Sequence, residues 1–383
     1  MAISGDYLTA HEAAEYLGVS RATLYAYVSR GFVASEPAGA ASSRSHRYAR
    51  RALDELKERR TERREPAHGA LAWGAPVLDS SLSLIADGRL YYRGLDACEL
   101  SRNAAVEDVA RLLWTGATDG ADELFPLSST RRRRSGSLGD RLFACLAEER
   151  AWHPVTISEP NPAALRAAAA TISALFDAAG ATGSGSLAER LARGWRAPDA
   201  GALGAALILC ADHELNSSAF TARCVASTDA PIHNVLLGAL CAFEGRRHGP
   251  LARVVCDLLD DVELLGVEAA GRRALARQGL IPGFGHRLYP DGDPRAVALL
   301  DRLELAADHP AAQLIAFAEQ IGAAPTLEVA VAALARHPDL PDDATFGIFA
   351  LGRAIGWVGH ALETAAQGTV IRPRARYTGP QPA

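Results

Sequence analysis

From about residue 71 onward one feature governs the chain: apolar residues, mostly Ala, Leu and Val, recur at helical spacing with little interruption. Aromatics make up only 6% of the chain while hydrophobic residues reach 49%, so the apolar load falls on helix formers rather than strand formers. One short hairpin stands out at Leu82–Tyr92, reversing at Asp87-Gly88. After it the spacing predicts helices at Val106–Trp114, Leu138–Glu149, Pro162–Ala179, Leu187–Ala192, Ala200–Leu215, Ala219–Ala226 and Ile232–Phe243. More follow at Leu251–Leu264, Glu268–Gln278, Arg295–Ala306, Pro310–Ile321, Leu327–Ala335 and Phe346–Gln367. The fold class is all-α, and 383 residues suffice for two or three domains.

Residues 7–60 read as a unit of their own. Thr9-Ala10-His11-Glu12 has the form of a capping box, so Thr9 opens a helix at Ala10–Leu17. Gly18-Val19-Ser20 is a short turn, Ser20 caps a second helix at Arg21–Ser29, and Gly31 ends it. Two short helices joined by such a turn make a helix-turn-helix, whose second helix shows Arg21, Thr23 and Tyr25 near its start. A loop at 38–45 and a basic stretch around Arg47 lead into a third helix at Ala52–Arg60. From Leu8 to Gly31 the chain follows the pattern LTxxEAAxxLGVSxxTLxxYxxxG. It resembles the winged-helix domains of MerR-type regulators and phage excisionases. That resemblance implies DNA as a partner, with Arg21, Thr23, Tyr25 and Arg47 as contacts and Arg44, Arg50 and Arg51 adding phosphate-neutralising charge. A three-helix interaction module that touches no DNA would show the same pattern.

The domain boundary falls in a charged, proline-broken linker at 63–70, after a first domain at 1–62. The net charge of −5 exerts no global pull toward nucleic acid or membrane. Six cysteines without a C-x-x-C pair read as free, mostly buried thiols of a reducing compartment. With no signal pattern and no apolar run of about 20 residues, a soluble, cytoplasmic protein is expected. The run Arg131–Arg134 reads as a solvated loop or as an anion contact.

Three histidines stand in distinctive settings: His213 in Ala211–Ser218, His248 in Gly245–Pro250, and His286 in Pro282–Tyr289. Gly283 and Gly285 allow tight turning and close approach to a ligand. Arg295, Arg353 and Arg372 are candidate anion grips, and Arg353 falls in an otherwise apolar helix, where a charge needs a partner. A small dianion with a reactive carbonyl would suit such groups.

Six segments, DGRLYYRG, VEDVARLLWTG, ADHELNSSAFTARCVAST, PGFGHRLYPDGDPRA, FALGRAIGWVGHALE and IRPRARYTG, occur in the order of matching citrate synthase motifs. Residues 80–380 resemble the citrate synthase family. The resemblance implies that family's all-α fold, with a large domain at 71–249 and 341–383 and a smaller inserted domain at 250–340. It implies condensation of acetyl-CoA with oxaloacetate to citrate and CoA. His213, Arg295 and Arg353 would bind oxaloacetate, and Arg372 would reach it from the other subunit of a homodimer. His248 would hydrogen-bond the thioester oxygen and His286 would polarise the ketone. No cofactor or metal is called for; acetyl-CoA is a substrate.

Two departures stand out. The family base is an aspartate in PNVDFYSG; here Pro325-Thr326-Leu327-Glu328 places Glu328 there, one methylene longer. Arg246 and Arg247 precede His248, and Pro250 replaces a glycine. The alternatives are a 2-methylcitrate synthase using propionyl-CoA, or a DNA-binding regulator that senses oxaloacetate, citrate or acyl-CoA without turnover.

Overall fold

The alternation of turn signals and apolar helical stretches resolves into two units, Met1–Asp79 and Ser80–Ala383. The computed structural model describes residues 7–17, 19, 21–29, 33, 35–37, 46–54, 78–117, 124–125, 135–152, 161–249, 251–375 and 377–380. In the first unit, Thr9 ends strand β1 (Tyr7–Thr9) and caps α1 (Ala10–Tyr16). The Thr9 hydroxyl accepts the Glu12 N–H at 3.4 Å, and the Glu12 carboxylate accepts the Thr9 N–H at 2.9 Å. The capping box read in the sequence is thus formed. Helix α2 (Arg21–Ser29) follows, then β2 (Glu36–Pro37) and β3 (His46–Ala49), in an antiparallel sheet ordered β1-β3-β2. Leu8, Ala13, Leu24, Tyr48 and Leu53 meet in its core. Residues 50–54 begin the third helix. Its expected continuation to Arg60, and Ser20, Gly31 and Arg44, lie outside the described residues, as do Arg131–Arg134.

The second unit opens with a three-stranded meander, β4 (Ser83–Ala86), β5 (Arg89–Tyr92) and β6 (Leu95–Asp96), turning at Asp87-Gly88 as expected. Helices take over from there. They are α3 (Ala97–Asn103), α4 (Val106–Thr115), α5 (Leu138–Trp152), α6 (Pro162–Ala179), α7 (Leu187–Trp195), α8 (Ala200–Leu209), α9 (Ser217–Ala226) and α10 (Ile232–Phe243). They continue as α11 (Leu251–Leu265), α12 (Val267–Gln278), α13 (Pro294–Leu303), α14 (Pro310–Glu319), α15 (Leu327–Ala335) and α16 (Ala344–Gln367). Most starts carry a side-chain cap, such as Asn161, Ser186, Asn216 and Asp293.

Helix α16 is buried along most of its length and forms the spine of the larger core. Gly352 allows this: a Cβ there would lie 2.5 Å from the Leu207 carbonyl oxygen, so only glycine lets α16 come this close to α8. A second core, separate from the first, joins Val255, Leu259, Phe284, Leu314 and Val329.

Two expectations need correction. The helix read as Ala200–Leu215 ends at Leu209, with Cys210 as its cap, because Glu214 takes φ +51° and Ser83 holds the following turn. Arg295–Ala306 ends at Leu303, where Glu304 enters the left-handed region at φ +45°. The cysteines are less uniform than read: Cys98, Cys145 and Cys210 are buried, and Cys241 is exposed.

Candidate active site

His213 projects from the turn between α8 and α9. The turn is pinned on one side: Ser83 donates its hydroxyl to Asp212 Oδ2 at 2.5 Å and accepts the Glu214 N–H at 3.1 Å. Below it Asp212, fully buried, contacts His360 Nε2 at 3.1 Å, and Arg223 Nε donates to His360 Nδ1 at 2.9 Å. Burial alone would raise the Asp212 carboxyl, but His360, Arg353 and the Ser83 hydroxyl hold it below the ordinary range.

Around His213 three aromatic rings converge. His213 and His286 meet edge to face with centroids 5.2 Å apart, and Tyr289 lies 5.0 Å from His286. The Tyr289 hydroxyl is 3.1 Å from His213 Nε2. The His286 ring has a defined tautomer: the Leu288 N–H donates to its Nδ1 at 3.1 Å, so the neutral ring carries its proton on Nε2. Gly283 and Gly285 both take left-handed φ, +82° and +77°, to turn the loop that carries this ring. Burial, then the positive charge of Arg295, pushes the His286 pKa down. His213 is driven well below its ordinary value by burial, then by Arg295, Arg353 and His286. Both imidazoles are therefore neutral near pH 7.

The two arginines of this cluster differ. Arg295 is buried and closed: Asp293 Oδ1 accepts its Nε at 2.9 Å and Oδ2 accepts its Nη2 at 2.7 Å. Asp293 also caps α13 through the Arg295 N–H and accepts the Leu327 N–H at 3.0 Å, at the head of α15. Burial opposes ionisation of Asp293, yet Arg295 outweighs it and keeps the carboxyl below the ordinary range. Arg353, only 6% exposed, has Nε and Nη1 buried without any hydrogen-bond partner among the described residues. A buried guanidinium with empty donors is a costly arrangement unless an anion arrives to fill them.

His248 lies beyond Arg353, at the end of the segment following α10. Its Nε2 is 2.9 Å from the Ser218 hydroxyl, which also accepts the Trp357 Nε1–H at 3.1 Å and lies 2.8 Å from Asn216 Oδ1. Burial, then Arg353, pushes the His248 pKa down to about 4. Glu328 stands in the first turn of α15, half-buried, and its charge is felt by both His286 and Arg295. Its Oε2 accepts the Thr326 hydroxyl at 2.5 Å.

The structure thus gathers His213, His286, Arg295, Arg353, His248 and Glu328. Arg372 is exposed on the segment after α16, which Ile371 N–H anchors to the Ser227 hydroxyl at 3.1 Å. No contact among the described residues joins it to the cluster. Tyr289, Asp293, Ser218 and Trp357 were missed by sequence reasoning. Asp293 had a signal: a buried arginine calls for a carboxylate, and one sits two positions earlier. Tyr289, Ser218 and Trp357 are identified only by packing. Among the described residues no group of three or more His, Cys, Asp or Glu side chains could hold a metal ion.

Sequence comparison matches residues 70–173 and 143–374 to the family "Citrate synthase, C-terminal domain". The chain belongs to the citrate synthase family. Citrate synthase of Haloferax volcanii is 30% identical over 363 residues, covering 80% of this chain and 94% of the relative. The 2-methylcitrate synthase of Mycobacterium tuberculosis is 30% identical over 336 residues, covering 76% and 84%. Among solved structures, Thermotoga maritima citrate synthase superposes with a TM-score of 0.64 at 24% identity, covering 81% of this chain and 95% of that one. A ternary complex of Thermoplasma acidophilum citrate synthase with carboxymethyl coenzyme A and oxaloacetate matches at the same TM-score and 20% identity, covering 81% and 95%. These structures show that the second unit has the citrate synthase fold. Residues 7–61 match a helix-turn-helix domain family, which the N-terminal expectation anticipated.

In that N-terminal unit Arg21 and Tyr25 are exposed on α2. The Thr23 side chain lies outside the described residues. Arg47 is not free: it is bonded to Glu36 at 3.0 Å and lies 4.3 Å over the Tyr7 ring. No helix among the described residues is long and apolar enough to cross a membrane.

Proposed function

We propose that the second unit condenses an acyl-CoA with oxaloacetate, acetyl-CoA giving citrate and propionyl-CoA giving 2-methylcitrate. The observation that carries this reading is Arg353, a buried cation whose Nε and Nη1 are unfilled among the described residues and whose charge helps keep the imidazoles of His213 and His248 neutral. A dicarboxylate with a ketone would fill those donors and set its carbonyl oxygen toward the Nε2–H of His286. Because Asp293 already neutralises Arg295, a bound dianion meets one uncompensated buried cation. That shortfall favours a second charge from Arg372 of another copy, and so a homodimer.

The chemistry follows from these groups. The Glu328 carboxylate removes a proton from the carbon next to the thioester carbonyl while His248 donates a hydrogen bond to the thioester oxygen. Donation from His248 Nδ1 requires the Ser218 hydroxyl to give its proton to Nε2 rather than to Asn216. The enolate carbon attacks the oxaloacetate ketone while His286 Nε2–H donates to the forming alkoxide, and the proton taken up by Glu328 returns through His286 to that oxygen, so both groups end as they began. Water then cleaves the thioester, releasing CoA and leaving the carboxylate.

The test follows CoA thiol release from purified protein with oxaloacetate and either acetyl-CoA or propionyl-CoA. Turnover with one of the two is expected. Oxaloacetate binding without thiol release from either would overturn the enzyme reading in favour of a sensor. For the first unit, the helix-turn-helix match and the exposed Arg21 and Tyr25 support duplex DNA as partner. A salt-dependent mobility shift on the protein's own upstream region tests it.

A further inference from the structure

We propose that Thr326 is a positioning residue that corrects for the extra length of Glu328; this rests on the reading of Glu328 as the base. Glutamate at this position carries its carboxylate one methylene further along the side chain than aspartate would. A displacement of about 1 Å in a reacting group can cost on the order of 100-fold in rate. Something must therefore hold the longer side chain in one place.

Thr326 is built to do so. It is 4% exposed and occupies the N-cap position of α15, yet its hydroxyl makes no capping bond. A threonine there ordinarily accepts an amide of the first helical turn. Asp293 Oδ2 takes the Leu327 N–H and the Thr326 carbonyl takes the Val329 N–H, both at 3.0 Å, so the Thr326 hydroxyl enters this turn only as a donor. Two acceptors lie within reach, Glu328 Oε2 at 2.5 Å and the Gly283 carbonyl at 3.0 Å. The hydroxyl has one proton. Gly283 O already receives the Thr326 N–H at 2.8 Å, and a carboxylate acceptor makes the stronger, shorter bond. The proton therefore goes to Glu328.

The donor is itself fixed. Thr326 is β-branched, with few rotamers open to it, and its backbone is tied to the His286 loop. Gly285 N–H donates to Ala324 O and Thr326 N–H to Gly283 O, both at 2.8 Å, around a bridge pairing Phe284 with Pro325. With Oε2 held, Oε1, which has no hydrogen bond among the described residues, is left as the atom that takes the substrate proton.

The experiment is a kinetic cycle on the full chain. Thr326→Val keeps the shape and removes the donor. It is expected to lower kcat by about 10- to 100-fold while the KM for oxaloacetate changes less than about 2-fold, since Arg353 and His286 are untouched. Thr326→Ser is expected to restore kcat to within about 3-fold of the parent. In a Glu328→Asp background, where the side chain is too short to reach the hydroxyl, Thr326→Val is expected to add less than about 2-fold.

A Thr326→Val protein with parental kcat overturns the proposal, as does an effect that multiplies in full in the Glu328→Asp background. If the valine variant does not fold, Thr326→Ala is read against the same outcomes. Glu328→Gln separates the two ideas. If it keeps parental turnover, or if the parent releases no thiol, Glu328 is not the base and the positioning role falls with it. If it is inactive while Thr326→Val is normal, only the positioning role falls.

Discussion

Asp293 and Arg295 satisfy each other with two near-parallel hydrogen bonds, Nε–Oδ1 at 2.9 Å and Nη2–Oδ2 at 2.7 Å, inside the protein. Replacing Asp293 by Asn would leave a buried guanidinium without its counter-charge. Breaking such a pair costs about 3–5 kcal/mol. Urea unfolding of Asp293→Asn should show a loss of this order, and a midpoint equal to the parent's would refute it.

Arg353 lies at the opposite extreme. Its empty donors cost stability while no anion is bound, about 1–3 kcal/mol for an unsatisfied buried group. Arg353→Met should therefore be as stable as the parent or more so. It should also lose about 2–5 kcal/mol of oxaloacetate binding, the cost of removing one partner of a buried charge pair. Calorimetry with oxaloacetate, run beside thermal unfolding, checks both signs.

His248 gives a pH signature. Its folded-state pKa of about 4 lies below the ordinary 6.5. Between these values the unfolded chain binds a proton that the native state does not. Stability is thus unaffected above pH 6.5, falls as the pH drops below it, and levels off near 4. His213 and His286, also shifted down, act in the same direction. Comparing urea midpoints at pH 7.5 and at about pH 5, the parent should lose more stability than His248→Asn; equal losses would contradict the assignment.

Ser218 joins His248 to Trp357. Ser218→Ala leaves the imidazole without the hydroxyl that can set its tautomer. A drop in kcat on the order of 10-fold is expected, about the value of one hydrogen bond of 1.4 kcal/mol. The KM for oxaloacetate should hold, since Ser218 touches none of its proposed ligands.

In the first unit, Arg21 and Arg47 should behave differently. Arg21→Ala should weaken DNA binding and reduce the salt slope by about one. Arg47→Ala should act partly through folding, because Arg47 holds Glu36 and stacks on Tyr7. Mobility shifts at two salt concentrations, with a thermal melt of each variant, tell the two apart.

The helices were legible because Ala- and Leu-rich spacing and caps such as Thr9 are local signals. The end of α8 was not, since it depends on Ser83, distant in sequence, seizing Asp212 and Glu214. Arg295 and Arg353 stood out by their settings, whereas Glu328 was reached only through the family resemblance. The partners of the two arginines could not be read: only the folded chain shows that Asp293 closes Arg295 and that Arg353 Nε and Nη1 have no partner among the described residues.

The pairing of Phe284 with Pro325 makes the His286 loop and the Glu328 segment neighbours through the main chain. The spacing between the proposed ketone activator and the proposed base is thereby set by backbone hydrogen bonds, which substitution of side chains leaves largely intact. Evolution can retune this site by changing the length of a side chain and what braces it, without redrawing the frame. A glutamate at position 328, braced by Thr326, is a side-chain length that such a frame accommodates.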